Sequence, residues 1–266
     1  YNSNGTKREG MKKMLKRQKK KESKIQWKTF YKAVFALVIP MALQNLINVG
    51  VTATDVVMLG RVGEKVLSGA SLAGQIQYIM TLFLFGLTSG ATVLTAQYWG
   101  KGDRRTIEKI LALGIKASLM VTAVFMIAAL TVPGLLMKIF TNDPQVIAEG
   151  VKYLRIVAWS YILIGITQVY LYTMRSVERV MIATVVYLCS LICNIILNSV
   201  FIFGLLGFPA MGIQGAALAT LISRCLELLL VFLYARFYNR EIRVRARYLL
   251  HTEKVLIRDF LVYSIP

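Results

Sequence analysis

Polar side chains recur along one apolar stretch of the sequence at positions i, i+4, i+8 and i+11, a spacing that places them on one face of an α-helix. They are Gln44, Asn48, Thr52 and Asp55. A carboxylate inside an apolar span is costly to keep charged, and such residues commonly mark ion pathways. Asp55 is therefore a candidate for binding a proton or a cation. The structural alternative is a polar seam that bonds to neighbouring helices, with Asp55 hydrated near the surface.

A second polar face lies in a later apolar stretch, where Ser190, Asn194 and Asn198 are each four residues apart. A carboxamide has both donors and an acceptor, so it can coordinate a cation or hold a carboxyl group in either protonation state. Hydrogen bonding between helices explains the same pattern equally well. Two other stretches carry polar or aromatic side chains that could line a cavity or simply pack: Gln77, Thr81, Thr88 and Thr92, then Tyr161, Gln168 and Tyr172.

The remaining intramembrane features have simpler interpretations. Arg224 and Glu227 are three residues apart and can neutralise each other on a helix, so we interpret them as a structural pair. Pro40 precedes the polar face of Asp55 and removes a backbone hydrogen bond, which predicts a hinge in that helix. Small residues predict faces for close helix contact: Gly86 and Gly90, then Gly212, Ala216, Ala219 and Ser223.

The elements that must position these residues are long and apolar. Of the 266 residues, 56% are hydrophobic and only 17% are charged, and the mean hydropathy is +0.59. Six stretches are each long enough for a helix to cross a bilayer, which takes about 20 residues. They run from Phe30 to Val57, Leu72 to Tyr98, Ile110 to Val132, Val151 to Met174, Val180 to Phe203 and Ile213 to Ala235. The pattern excludes a soluble enzyme, a disulfide scaffold and a disordered chain, and it predicts an all-α, polytopic membrane protein.

The net charge of +19 is concentrated in blocks between the apolar stretches. Segments on one side of the predicted membrane carry 25 of the 32 Lys and Arg residues, and segments on the other side carry 4. Basic segments stay on the cytoplasmic side, so both ends of this chain are predicted to be cytoplasmic, in the cell membrane. Such blocks contact lipid head groups, and no nucleic-acid-binding signature accompanies them. We therefore expect the lipid bilayer, and not nucleic acid, as a partner.

Charge and hydropathy divide the chain into four predicted parts. These are a basic cytoplasmic tail (1–29), a six-helix transmembrane lobe (30–235), a basic cytoplasmic linker (236–258) and the start of a seventh helix (259–266). The segment from Ile257 to Pro266 is similar to the segment from Lys28 to Pro40. Internal repeats of this size are common in secondary transporters, so we expect a second six-helix lobe of the same chain to follow.

Four segments carry a family resemblance. Thr54–Gly63 (TDVVMLGRVG) follows Pro40, and Gly90–Asp103 (GATVLTAQYWGKGD) ends the second apolar stretch. The third and fourth segments are Asn194–Asn198 (NIILN) and Gly212–Thr220 (GIQGAALAT). In this order and at these spacings they resemble helices one, two, five and six of the multidrug and toxic compound extrusion (MATE) transporters. The resemblance extends from about Phe30 to the end of the chain and corresponds to the amino-terminal half of the family.

The resemblance implies an antiporter of twelve helices in two lobes around a V-shaped cavity. Such a protein exports small organic, often cationic, compounds in exchange for H⁺ or Na⁺ and needs no other cofactor. Asp55 is then implied to take part in coupling, with Asn194 nearby and Thr220 in the same cluster. The position of Asn198 is an Asp in several members, so this chain has one carboxylate where they have two. The only metal ion that the resemblance implies is a Na⁺ ion at Asp55.

The polar faces are expected to line the substrate cavity. The residues expected there are Gln44, Asn48, Thr52, Gln77, Gln168 and Tyr172. In the mechanism that the resemblance suggests, a proton or Na⁺ neutralises Asp55, Pro40 lets the first helix bend, and the cavity releases its compound outward.

Two alternatives stay open. A flippase for a lipid-linked precursor, from the same superfamily, would carry several cationic residues for a pyrophosphate, whereas only Arg224 lies deep in a span. A membrane-embedded enzyme or receptor would need a paired nucleophile and base or a metal cluster. The single histidine, His251, lies in a basic loop, and the three cysteines lie within apolar stretches as packing residues. We therefore predict a transporter and no enzymatic activity.

Overall fold

The computed structural model describes residues 27–239, 241–250 and 254–264, and within these ranges the chain is helical and has no β-strand. The helices are α1 (Trp27–Gly60), α2 (Glu64–Gly100), α3 (Arg104–Thr131), α4 (Pro133–Lys138), α5 (Pro144–Val157), α6 (Ser160–Ser176), α7 (Met181–Phe203), α8 (Ile213–Leu233), α9 (Ala246–Leu250) and α10 (Lys254–Ser264). A 3₁₀ turn, Leu205–Gly207, follows α7, and a π-helical turn, Tyr234–Tyr238, continues α8. The described part of the chain divides into two units between residues 42 and 43, and the site described below lies wholly in the second. The first 26 residues of the predicted basic tail and His251 lie outside the described residues.

Five of the described helices, α1, α2, α3, α7 and α8, are long and apolar enough to cross a membrane. The pair α5 and α6 meets the same test jointly, and it adds a sixth crossing if the pair is one bent span. The chain is therefore a multi-pass, all-α membrane protein, and the fold class predicted from hydropathy is confirmed.

The fourth apolar stretch differs from its prediction. The sequence predicts one span from Val151 to Met174, but the structure has two helices that meet near Ala158 with a bend of 56°. At the bend the Ser160 hydroxyl donates to the Val157 carbonyl oxygen (2.7 Å), and the Tyr161 N–H donates to the Ala158 carbonyl oxygen (3.1 Å). Short-range bonds of this kind replace the regular helical ladder. Hydropathy does not reveal the bend because both helices are apolar.

Two large clusters of buried apolar side chains help to hold the helices together. One lies between α3 and α6 and includes Leu111 and Val169. The other lies between α2 and α5 and includes Met80 and Leu154. Lipid is as apolar as these side chains, so helix association within a bilayer depends on close van der Waals fit. The clusters fix α2, α5 and α6, whose other faces line the cavity described below.

α10 packs against α2 on the small-residue face that the sequence predicts for close helix contact. A Cβ atom at Gly90 would lie 2.7 Å from the Ser264 amide nitrogen, and one at Gly86 would lie 3.7 Å from the Ser264 carbonyl oxygen. The Ser264 hydroxyl also donates to the Leu87 carbonyl oxygen (3.4 Å). The predicted role of this face is confirmed, and the absence of a side chain at Gly90 allows α10 its position.

The segment that follows α8 is anchored to the bundle by a buried carboxylate. Glu108 of α3 is 3% exposed; its Oε1 accepts from the Arg243 N–H (3.0 Å), and its Oε2 pairs with the Arg245 Nε (2.8 Å). Asn239 Nδ2 donates to the Tyr170 hydroxyl of α6 (3.0 Å). These bonds fix the first part of the predicted basic linker against α3 and α6.

Glu108→Gln is expected to lower the free energy of unfolding by about 1.5–3 kcal/mol, because the amide loses the charge that Arg245 pairs with. Thermal unfolding of the purified protein from the complete gene measures this loss. The control is Glu64→Gln, which changes an exposed carboxylate in the first turn of α2. That change is expected to shift stability by no more than about 0.5 kcal/mol. Equal unfolding midpoints for the two variants would contradict the anchoring role of Glu108.

Candidate functional site

The site is centred on Asp55 in α1 and two asparagines of α7. The Asn198 Nδ2 donates to the Asp55 Oδ1 (2.5 Å) and to the Asn194 Oδ1 (3.0 Å). Asn198 is 0% exposed and Asn194 is 1% exposed. The structure thus brings together the two polar faces that the sequence places 143 residues apart. One carboxylate and two carboxamides form a continuous chain of hydrogen bonds from α1 into α7.

The Asn198 Oδ1 of this chain is buried and has no hydrogen-bond partner among the described residues. A buried polar atom without a partner is uncommon in a native structure and calls for an explanation such as a bound ion. Carboxylate, amide and hydroxyl oxygens are the ligands that hard cations prefer, and an amide oxygen also accepts from a protonated carboxyl group. The arrangement can therefore hold either a cation or a proton at Asp55.

Asp55 opens onto a cavity of about 710 Å³ that is lined by α1, α2, α5, α6, α7 and α8. Six of the residues that the sequence proposes for the site line it: Asn48, Thr52, Asp55, Gln77, Gln168 and Thr220. A volume of this size is within the ordinary range for a small-molecule pocket. The cavity combines a carboxylate with several amide and hydroxyl groups, as a site for a polar organic compound requires.

Two other expected cavity residues, Gln44 and Tyr172, are not among the lining residues. Gln44 is buried; its Nε2 donates to the Val180 carbonyl oxygen (3.0 Å) and to the Thr184 Oγ1 (2.9 Å). Its Oε1 accepts from the Arg175 guanidinium (2.6 Å), and the same guanidinium lies 4.7 Å from the centre of the Tyr172 ring. The structure therefore places Gln44 and Tyr172 in a contact between α1, α6 and α7.

The cavity lining also includes residues that were not proposed for the site from the sequence, among them Tyr153, Tyr187, Arg224 and Glu227. The predicted pairing of the last two is confirmed, because the Arg224 NH1 lies 2.7 Å from the Glu227 Oε1. Tyr187 precedes Ser190 by three residues and Asn194 by seven, so helical spacing could have placed it on the same face. For Tyr153 the sequence carries no such signal, because its position depends on the bend between α5 and α6.

A turn at one end of the bundle sets the start of α5 and with it the position of Tyr153. The Asp143 Oδ1 accepts from the backbone N–H groups of Gln145 (2.9 Å) and Val146 (3.4 Å), which caps the helix. The Asp143 carboxylate also accepts from the Lys65 ammonium. This hydrogen bond, together with the backbone donors, holds the pKa of Asp143 below its ordinary value.

Pro40 lies inside α1, which is continuous from Trp27 to Gly60. Its predicted role as a hinge stays a prediction. Among the residues that the structure describes, no group of three or more His, Cys, Asp or Glu side chains is placed to hold a metal ion. The cysteines Cys189, Cys193 and Cys225 are free thiols.

Comparison with known proteins decides the family. Residues 40–200 match the family model described as MatE. The chain belongs to this family. The probable multidrug resistance protein NorM of Mesorhizobium japonicum is 32% identical over 208 residues, which cover 75% of this chain and 43% of that protein. The protein of the same name from Rhizobium meliloti is 30% identical over 200 residues, covering 73% of this chain and 42% of that protein.

Solved structures of the family share the fold of this MatE chain. A crystal structure described as MATE in the bent conformation matches with a TM-score of 0.79 at 20% identity, covering 89% of this chain and 52% of that one. The chain spans less than half the length of the two curated relatives and about half the length of this solved chain. At this level of identity the structural match shows the fold alone.

Proposed function

We propose that this MatE chain forms one six-helix lobe of a secondary active antiporter that exports small organic, often cationic, compounds in exchange for H⁺ or Na⁺. The observation that carries the proposal is the Asp55 carboxylate, which lines a cavity of about 710 Å³ and accepts a hydrogen bond from Asn198. The names of the NorM relatives support multidrug export, and the flippase alternative finds no support in them. Both ends of the chain face the cytoplasm in this proposal, and a second lobe of the same chain completes the cavity.

In the proposed mechanism, a proton or Na⁺ that enters from outside the cell neutralises Asp55, and Asn194, Asn198 and Thr220 help to hold it. Loss of the charge lowers the free energy of packing α1 against α7 and α8, and Pro40 allows α1 to bend. A ligand shifts such an equilibrium only through its different affinities for the two states. Asp55 supplies that difference, because its charge favours the hydrated state of the cavity.

The arrangement at Asp55 favours neither coupling ion over the other. A Na⁺ ion would use the Asp55 carboxylate and the free Asn198 Oδ1, together with hydroxyl oxygens such as that of Thr220. A proton on Asp55 would be donated to an amide oxygen of the same cluster. Since Asn198 carries no charge, one carboxylate binds one positive charge per cycle in either case.

Export of rhodamine 123, a cationic dye, tests the proposal in cells that lack their own efflux pumps and express the complete gene. A protonophore collapses the proton gradient and a sodium ionophore collapses the sodium gradient. We expect export that stops when one of the two gradients is removed, and the effective ionophore identifies the ion. Export that continues after both gradients have been collapsed would contradict a secondary antiporter.

A further inference from the structure

The α8 crossing is longer than the hydrocarbon layer of a bilayer is thick. It continues from Ile213 through the π-helical turn to Tyr238, a length of 26 residues. At about 1.5 Å per residue this helix measures about 39 Å, whereas the hydrocarbon core is about 30 Å thick. A charged side chain is costly in hydrocarbon, so Arg236 in the π-helical turn marks the end that lies among the lipid head groups.

The π-helical turn exposes a cation and two aromatic rings together. Phe237 is 63% exposed and Tyr238 is 80% exposed. The Arg236 guanidinium carbon lies 5.6 Å from the centre of the Phe237 ring, and among the described residues this side chain has no ion-pair partner. Aromatic and basic side chains are the groups that proteins place at the membrane–water interface. The turn therefore presents both kinds of group at the depth of the head groups.

The segment after the turn adds a second exposed cation on a fixed backbone. The Asn239 Oδ1 accepts from the backbone N–H groups of Glu241 and Ile242, both at 3.3 Å. The Arg243 N–H is bound to the buried carboxylate of α3, but the Arg243 side chain is exposed and has no ion-pair partner within the described ranges. The interfacial surface, as we call it, consists of Arg236, Phe237, Tyr238 and Arg243.

The carboxylates beside the interfacial surface are already paired with other arginines. The Glu241 carboxylate lies 2.9 Å from the Arg179 guanidinium and 3.8 Å from that of Arg104. The Glu108 carboxylate pairs with Arg245 at 2.8 Å. Each of these acids therefore neutralises cations other than the two exposed guanidinium groups of the interfacial surface. Those two groups keep their positive charge and their N–H donors for an external anion.

We infer that the interfacial surface is a binding site for anionic phospholipid. A guanidinium group matches the oxygens of a phosphate with two parallel hydrogen bonds, which assigns the lipid phosphates to Arg236 and Arg243. The exposed rings of Phe237 and Tyr238 then contact the adjoining glycerol and acyl groups. A soluble polyanion would match the charge but would leave these rings without a partner. The inference requires neither transport nor a coupling ion, because it concerns the outer surface of the lobe.

Dioctanoyl-phosphatidylglycerol and dioctanoyl-phosphatidylcholine are matched probes, because they carry the same acyl chains and phosphodiester but differ in net charge. Native mass spectrometry of the purified protein from the complete gene, in neutral detergent, measures the Kd of each lipid. The test variant is Arg236→Gln/Arg243→Gln, which leaves the ion pairs of Glu108 and Glu241 in place. The control is Arg61→Gln/Lys138→Gln, which removes two exposed cations at the opposite end of the bundle.

The wild type is expected to bind the anionic lipid more tightly than the zwitterionic one, and the test variant is expected to lose about tenfold or more of this preference. The control should keep the wild-type preference. If the double variant does not fold, Arg236→Gln alone is expected to lose about threefold or more. Equal Kd values of the two lipids for the wild type, or an unchanged preference in the variant that folds, would overturn the inference. Binding of glycerol 3-phosphate as tight as that of the anionic lipid would also overturn it, because the site would then be one for soluble anions.

Discussion

Asp55→Asn is expected to abolish gradient-driven export of rhodamine 123. The uncharged amide can neither bind a proton nor neutralise a bound sodium ion. The side chain keeps its size and can still bond to Asn198, so the effect falls on coupling more than on folding. Exchange of one H⁺ or Na⁺ for one monocationic dye moves no net charge, so the concentration gradient of the ion drives export, and a tenfold ion gradient (about 1.4 kcal/mol) sustains about a tenfold concentration ratio of exported dye. Dye accumulation at equal surface expression measures the loss of this ratio.

The control for this variant is Asp143→Asn. It removes a carboxylate that caps α5 and pairs with Lys65 outside the cavity, and asparagine caps a helix nearly as well as aspartate. The exposed ion pair with Lys65 contributes little to stability. Export should therefore be retained in Asp143→Asn. Export against a concentration gradient by Asp55→Asn, at a level equal to that of the control, would remove Asp55 from the mechanism.

Gly215→Ala is expected to destabilise the lobe by about 1–3 kcal/mol, because α7 and α8 cannot accommodate an added methyl group. A Cβ atom at Gly215 would lie 2.6 Å from the carbonyl carbon and oxygen of Phe201 and 3.0 Å from the Ile202 nitrogen. These are backbone atoms of α7, so the helix itself must move. Phe201 is within one turn of Asn198, and the shift would therefore also lengthen the Asn198–Asp55 hydrogen bond.

Gly134→Ala is the control for this change, because no atom lies within 4 Å of the position that its Cβ would take. Thermal unfolding of the purified protein measures both variants. The expected order is a lowered midpoint for Gly215→Ala and a midpoint near that of the wild type for Gly134→Ala. A wild-type midpoint for Gly215→Ala would contradict this account, because it would show that α7 and α8 have room for a methyl group at Gly215.

The polar face of α1 was predictable because helical periodicity is a local property. Asn48, Thr52 and Asp55 follow it and all three line the cavity. Gln44 continues the same pattern but bonds to Val180 and Thr184, which lie 136 and 140 residues along the chain. Which polar residues of one face meet a cavity and which meet a neighbouring helix depends on those partners. The periodicity of α1 contains no information about them.

The sequence also does not predict which residues of α8 border the cavity. The spacing of Arg224 and Glu227 predicts their ion pair, since residues three apart on a helix are neighbours. The spacing does not predict that the pair borders the cavity with Asp55, because that depends on how α8 is rotated against α7. That packing includes the close contact of Gly215 with Phe201, which is a tertiary feature. The partners of Glu108 could not be predicted either. Arg243 and Arg245 belong to a segment whose composition shows only that it is basic, and not which residues it contacts.

The central claim is that the charge on Asp55 couples the movement of a cation to the export of a compound. The most direct measurement is cation flux in proteoliposomes that contain the protein from the complete gene, driven only by a concentration gradient of rhodamine 123. Wild-type protein is predicted to move H⁺ or Na⁺ in the direction opposite to the dye, in a fixed ratio, and Asp55→Asn is predicted to move neither ion. Dye-driven cation flux of the same size in Asp55→Asn would contradict the claim.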